Sequence, residues 1–136
     1  MLINLIKGNE GTVKENGRHV LYKCLAKKWT CGYGHNIGDN GISDAVAEML
    51  LREDIQQAYY DLISIFPQFY TFSEMRQNAL IDMMFNLGKT RFLKFKKMIA
   101  AIEMNHWDLA ADEAKDSDWY KQVGNRAERD VSMLRG

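Results

Sequence analysis

The sequence carries a single proline in 136 residues, only two cysteines, and no net charge, eighteen basic residues balancing eighteen acidic ones. Two cysteines cannot build a disulfide framework, so the small disulfide-dense secreted scaffolds are excluded. At this length a folded chain hides roughly two thirds of the surface that its unfolded form exposes, and needs no such staples. A neutral chain with a pI near 6.8 argues against a general nucleic-acid binder, whose domain carries a clear positive excess. No stretch approaches the roughly 20 apolar residues of a membrane span, so no stable membrane insertion is expected. The opening Met-Leu-Ile-Asn-Leu-Ile-Lys has no basic leader and no small-residue cleavage site, and no signal peptide is expected there. No solenoid-length repeat recurs.

What remains is a chain 46% hydrophobic and 26% charged, read as one soluble domain over residues 1–136 and expected to be monomeric. Leu2, Leu5, Ile6 and Asn9 share a helical face, predicting a short helix over 2–9 stopped by Gly8 and Gly11. The period then changes. Asn16-Gly17 is a two-residue hairpin signal, and Trp29 to Tyr33 is β-branched, aromatic and bounded by glycine, so residues 12–34 predict one small antiparallel sheet. The Asn36 to Gly41 run predicts a loop.

From Ser43, a candidate N-cap, the stripe Val46, Leu50, Ile55, Ala58 and Leu62 predicts a long helix over about 43–65. Beyond Pro67, helices are expected from Ser73 to Gly88, Phe92 to Met104, Trp107 to Lys115 and Asn125 to Leu134. The fold class is therefore α+β: a β lobe over about 12–42, a linking helix over about 43–65, and a helical lobe over about 66–136 joined by the 2–9 helix.

Glu10 follows the first helix directly. In a cleft between a sheet and a helical lobe, partial burial would raise its pKa, as a general acid requires; by position alone it is equally a solvated helix-end glutamate. The more specific signal is the set Glu10-Gly11, Tyr22-Lys23-Cys24 and Thr30-Cys31-Gly32-Tyr33-Gly34-His35. This set resembles the signature of the phage-type lysozymes, glycoside hydrolase family 24. Leu50 to Asp54, Phe85-Asn86-Leu87-Gly88, Trp107-Asp108, Trp119-Tyr120 and Asn125 to Arg129 are similar to the family's later blocks, in order. The chain departs from the pattern twice. Thirteen residues separate Glu10 from Cys24, more than in the family, which a longer hairpin at Asn16-Gly17 would absorb. And Cys24 stands where the family carries Asp.

The resemblance implies a lysozyme-like fold and an endolysin activity on peptidoglycan glycan strands: hydrolysis of the β-1,4 bond between N-acetylmuramic acid and N-acetylglucosamine, leading to cell lysis. It implies Glu10 as general acid, Cys24 as the second group and Thr30 orienting water. A thiolate base would invert configuration and a thiolate nucleophile would retain it; the base is favoured because Thr30 can hold a water. Lys23, Lys27 and Lys28 share Cys24's turn and could lower its pKa. Gly34, His35, Phe85, Asn86 and Arg126 are implied along the substrate cleft, with His35 pairing Asp54 of the linking helix and Arg126 contacting the catalytic Glu. Phe85 is equally readable as core.

Alternation along the strand turns Cys31 away from Thr30 and Cys24, predicting a buried Cys31 and no Cys24–Cys31 bridge. No cofactor is implied. A metal site is not expected, since Cys24, Cys31 and His35 lack a paired Cys-x-x-Cys, and His19 and His106 lie at no ligand spacing. Lys89, Arg91, Lys94, Lys96 and Lys97 form a basic run, read first as a solvated helix face and second as a surface for an anionic wall polymer. Synthesis in a host cytoplasm is expected, with action on the periplasmic wall after a holin or membrane damage opens the way. A lysozyme-like protein that binds saccharide or a partner without turnover is the alternative reading.

Overall fold

The computed structural model describes residues 1–136. The chain divides into two compact units, Met1–Met49 and Leu50–Gly136.

The first unit opens with α1 (Leu2–Glu10), which runs through Gly8 and stops at Gly11, whose φ of 66° is left-handed. Gly8 therefore does not end the helix as expected. A lone interior glycine costs only about 1 kcal/mol against alanine. Next come β1 (Lys14–Glu15) and β2 (Arg18–His19), antiparallel with Lys14 opposite His19. Their turn is Asn16-Gly17, both at positive φ (51° and 75°), the mirror-image turn whose twist matches the strands it joins. β3 (Tyr22–Lys23) and β4 (Trp29–Thr30) form a second hairpin, Tyr22 opposite Thr30.

The single sheet expected over 12–34 is thus two separate two-stranded ladders. Successive turns follow so closely that each ladder holds only two residue pairs. A third reversal bridges Cys31 and His35 around Gly32-Tyr33-Gly34. Residues 36–41, expected as loop, instead contain α2 (Ile37–Asn40), because the Asn36 side chain accepts the Asp39 N–H at 3.0 Å and starts a helical turn. Thr30 is the one buried side chain of this unit.

The long helix α3 (Asp44–Ile65) forms as the stripe predicts, with Ser43 Oγ accepting the Val46 N–H. Of that stripe Ala58 and Leu62 are buried, while Val46, Leu50 and Ile55 stay exposed. The second unit continues through a 3₁₀ turn (Phe69–Thr71), then α4 (Glu74–Leu87), capped by Ser73, and the short α5 (Lys89–Phe92). The remaining helices are α6 (Lys96–Glu103), α7 (Trp107–Lys115), α8 (Asp118–Val123) and α9 (Asn125–Arg135).

The helix expected over 92–104 is split in two: Phe95 leaves helical geometry (ψ 56°) and serves as the N-cap of α6. Unforeseen α8 is started by Ser117, whose Oγ accepts the Tyr120 N–H. The core of this unit is aromatic-rich, with Phe66, Phe69 and Phe72 meeting edge to face and Phe72 against Trp107 at 4.8 Å. Arg76 lies over the Trp107 ring and donates to the Leu134 and Arg135 carbonyls, satisfying the end of α9. No helix is long and apolar enough to cross a membrane.

Candidate active site

Glu10 ends α1 exposed, so its own unit does not supply the partial burial that was expected. Its carboxylate lies over Gly34. A β-carbon at Gly34 would stand 2.7 Å from Glu10 Oε2 and 3.0 Å from Cδ, closer than real atoms approach. Gly34 also has φ 80°, a conformation that only glycine adopts at no steric cost. The Thr-x-Gly-Tyr-Gly-His stretch thus forms a seat, and the carboxylate rests where its second glycine, Gly34, has no side chain.

Cys24 opens the second hairpin turn. Its N–H donates to the Lys28 carbonyl at 3.0 Å and its carbonyl accepts the Lys27 N–H at 2.8 Å, closed by Lys27 in left-handed geometry (φ 61°). The turn folds the Lys28 N–H onto the half-buried Cys24 thiol. Hydrogen bonding to the thiolate, first by that N–H and next by the Thr30 hydroxyl once it turns from its carbonyl partner, holds the thiol pKa below its ordinary value. The cause is backbone geometry rather than lysine charge as expected. Lys28 Nζ is paired with Asp39 at 3.2 Å, and Lys23 Nζ lies over the Trp29 ring at 4.9 Å.

Buried Thr30 gives its single proton to the Lys28 carbonyl at 2.9 Å. It can serve a thiolate only by turning that proton toward sulfur. Both cysteines are free, and Cys31 is half-buried rather than buried. Its backbone faces the His35 bridge at a hairpin that has no core behind it.

His35 Nε2 is bonded to the Gly41 carbonyl at 2.6 Å within the first unit. In the second unit Asp54 lines a hollow of about 220 Å³ with Gln57, Asp61, Met84 and Phe85. Phe85 is 41% exposed there, which excludes the core reading. Asn86 accepts the Trp119 indole N–H on Oδ1 at 2.9 Å. Arg126, implied to meet the catalytic Glu, places its guanidinium fork on Asp82, with both N–H···O distances at 2.7 Å.

Two features of this unit were not read from the sequence. The first is Asp82 with Asp130 of α9. Arg126 holds the Asp82 carboxyl below its usual range, while burial and the neighbouring Asp82 push Asp130 up to about 8. Asp130 is buried with Oδ2 unpartnered. Its position inside the α9 stripe with Ala127, Val131 and Leu134 was the available signal. The second is a hollow along the basic run: Arg91, Lys94, Lys96 and Lys97 are exposed, as expected, and also line a hollow of about 650 Å³ with Phe95 and Trp119.

A small hairpin unit that seats a carboxylate on a glycine turn and a low-pKa thiol beside a buried threonine, in a chain otherwise helical, defines a lysozyme-like α+β protein. The chain belongs to the phage lysozyme family, whose profile matches residues 12–132. It is 38% identical over 125 residues to a protein named endolysin from Acyrthosiphon pisum secondary endosymbiont phage 1, covering 89% of this chain and 78% of that one. Over 162 aligned positions it is 30% identical to probable T4-type lysozyme 2 of Dictyostelium discoideum, covering 98% and 92%. A further relative from that organism, probable T4-type lysozyme 1, is 30% identical over 96 residues, 68% of this chain but only 56% of its own length.

The seat gives a direct test. Gly34→Ala is expected to displace the Glu10 carboxylate and to lower the rate of wall clearance at least tenfold. The left-handed φ adds a loss of about 1 kcal/mol. Turbidity assays and thermal melts read the two effects separately, and wild-type clearance by Gly34→Ala would remove the seat from the chemistry.

Proposed function

We propose that this protein is a peptidoglycan hydrolase of the muramidase type, cleaving the β-1,4 bond between N-acetylmuramic acid and N-acetylglucosamine. The observation that carries this reading beyond family membership is the Cys24 turn. It brings together a thiol of lowered pKa, the Lys28 N–H and a buried Thr30 hydroxyl, which supports Cys24 in the role that the resemblance gives to the second catalytic group.

In this reading Glu10 gives its proton to the leaving glycosidic oxygen. The Cys24 thiolate takes a proton from water held by Thr30, and that water's oxygen bonds to C1 as the glycosidic bond breaks. Solvent then returns a proton to Glu10 and removes one from Cys24, and configuration at C1 is inverted. Phe85 offers an aromatic face to a sugar ring, and the Asn86 amide N–H, not used toward Trp119, is free for a hydroxyl or N-acetyl oxygen. The setting would be the wall of a host cell, reached after the membrane is permeabilised, with lysis as the result.

Purified peptidoglycan is the substrate for the test, with reducing ends and anomeric configuration followed together. Wild type is expected to release reducing ends with inversion. Cys24→Ser should be slower by about two orders of magnitude, because a serine hydroxyl does not ionise in this range, and Cys24→Asp should remain active. Full activity in Cys24→Ser would remove Cys24 from the mechanism. Wall binding without reducing ends would establish the silent, saccharide-binding alternative.

A further inference from the structure

His19 was set aside in the sequence because it lies at no ligand spacing, yet its contacts lead to the seat of Glu10. Thr12, the second residue after α1's last, donates its hydroxyl proton to the Gly32 carbonyl at 2.8 Å. With that proton committed, Thr12 Oγ1 can only accept from the His19 ring, whose Nδ1 is 2.8 Å away. The neutral ring therefore carries its proton on Nδ1. The same ring meets Tyr33 edge to face at 5.2 Å, and Lys7 Nζ stands over the Tyr33 ring at 5.1 Å.

Three successive residues of one turn meet neighbours in this way: Gly32 is bonded by Thr12, Tyr33 packs against His19 and Lys7, and Gly34 lies against the Glu10 carboxylate. His19 touches two of the three contacts, through Thr12 and through Tyr33. Neither Gly32 nor Gly34 has a side chain to hold it, and both have positive φ (66° and 80°). The Cys31–His35 bridge closes this turn at its base, and the contacts from Thr12, His19 and Lys7 brace its glycine-rich tip from outside.

We propose that His19 is a positioning residue for the Glu10 carboxylate, acting through Thr12 and the Gly32-Tyr33-Gly34 turn; this rests on the acid role assigned to Glu10 above. The hairpin at Asn16-Gly17 that lengthens the chain between Glu10 and Cys24 is what carries His19 to this place. The extra residues, on this view, brace the acid.

His19→Ala and Thr12→Val are each expected to lower kcat on purified peptidoglycan about tenfold, with KM within twofold of wild type. Misplacing a catalytic group costs rate rather than binding. Thr12→Ser keeps both hydroxyl bonds and should restore kcat. His19→Asn restores a donor at similar reach without the ring against Tyr33, and should recover part of it. The double variant His19→Ala/Thr12→Val should be no slower than the worse single variant, as members of one chain of contacts do not add.

Two results would overturn the inference while leaving the muramidase reading intact. One is an inactive Glu10→Gln beside wild-type kcat in both His19→Ala and Thr12→Val. The other is a fall in melting temperature or a rise in KM with kcat unchanged, which marks a structural role. A fully active Glu10→Gln would sink the acid assignment and this inference with it.

Discussion

Glu10→Gln is expected to lower kcat on purified peptidoglycan by about three orders of magnitude while leaving the fold and KM near wild type. Glutamine keeps the shape that rests on Gly34, so the seat stays filled, but it has no acidic proton to give to a departing sugar oxygen. The fold should tolerate the change because Glu10 is exposed at the end of α1 and supports no core. Stability should even rise by a few tenths of a kcal/mol, since a negative charge at a helix C-terminus opposes the helix dipole. Single-turnover rates with melting curves for both proteins make the measurement. Retention of a tenth or more of the rate would remove Glu10 as the acid.

Asp130→Val should stabilise the helical unit at pH 8 and flatten its dependence on pH. The sign follows from the proton inventory. Asp130 titrates near 3.8 when unfolded and near 8 when folded, so between these values the native state holds a proton that the unfolded chain does not. Stability contributed by the protonated carboxyl is complete below the lower value and is lost as pH rises toward the upper one. Asp82 is displaced the other way and acts below its ordinary range, outside this window.

Valine leaves the Asp82–Arg126 fork in place, removes the unpartnered Oδ2 and adds apolar contact beside Ala127, Val131 and Leu134. A gain of about 1 to 3 kcal/mol is the scale for removing a buried polar group that has no hydrogen-bond partner. Thermal melts of wild type should fall from pH 5 to pH 8, and those of Asp130→Val should not. A flat wild-type profile, or a variant less stable at pH 8, would refute the assignment of a retained proton to Asp130.

Long-range periodicity was legible in the sequence and local closure was not. The long helix α3, the Ser43 and Ser73 caps and the Trp107–Lys115 helix formed as read, although only Ala58 and Leu62 of the α3 stripe are buried. The helix expected across 92–104 broke at Phe95, where spacing alone held no sign of a non-helical ψ. The 36–41 run became a helical turn through one Asn36 side-chain bond. In the candidate site, Glu10, Cys24, Thr30 and Gly34 were singled out by their motif. Their physics was not: exposure of Glu10, the Lys28 N–H on sulfur and the lysines engaged elsewhere are consequences of three-dimensional neighbours. His19 and Asp130 were missed for the same reason, since each matters through partners distant in sequence.

The hydrogen bonds that lower the Cys24 pKa have an effect outside hydrolysis. Thiolate is the form that peroxide attacks, giving first a sulfenic acid that another thiol can reverse and then products that none can. A carboxylate in the same place would be inert to that chemistry. Cys31 is not bonded to Cys24, so no bridge shields the sulfur. If Cys24 serves as proposed, the working life of the enzyme is set by the oxidants around it.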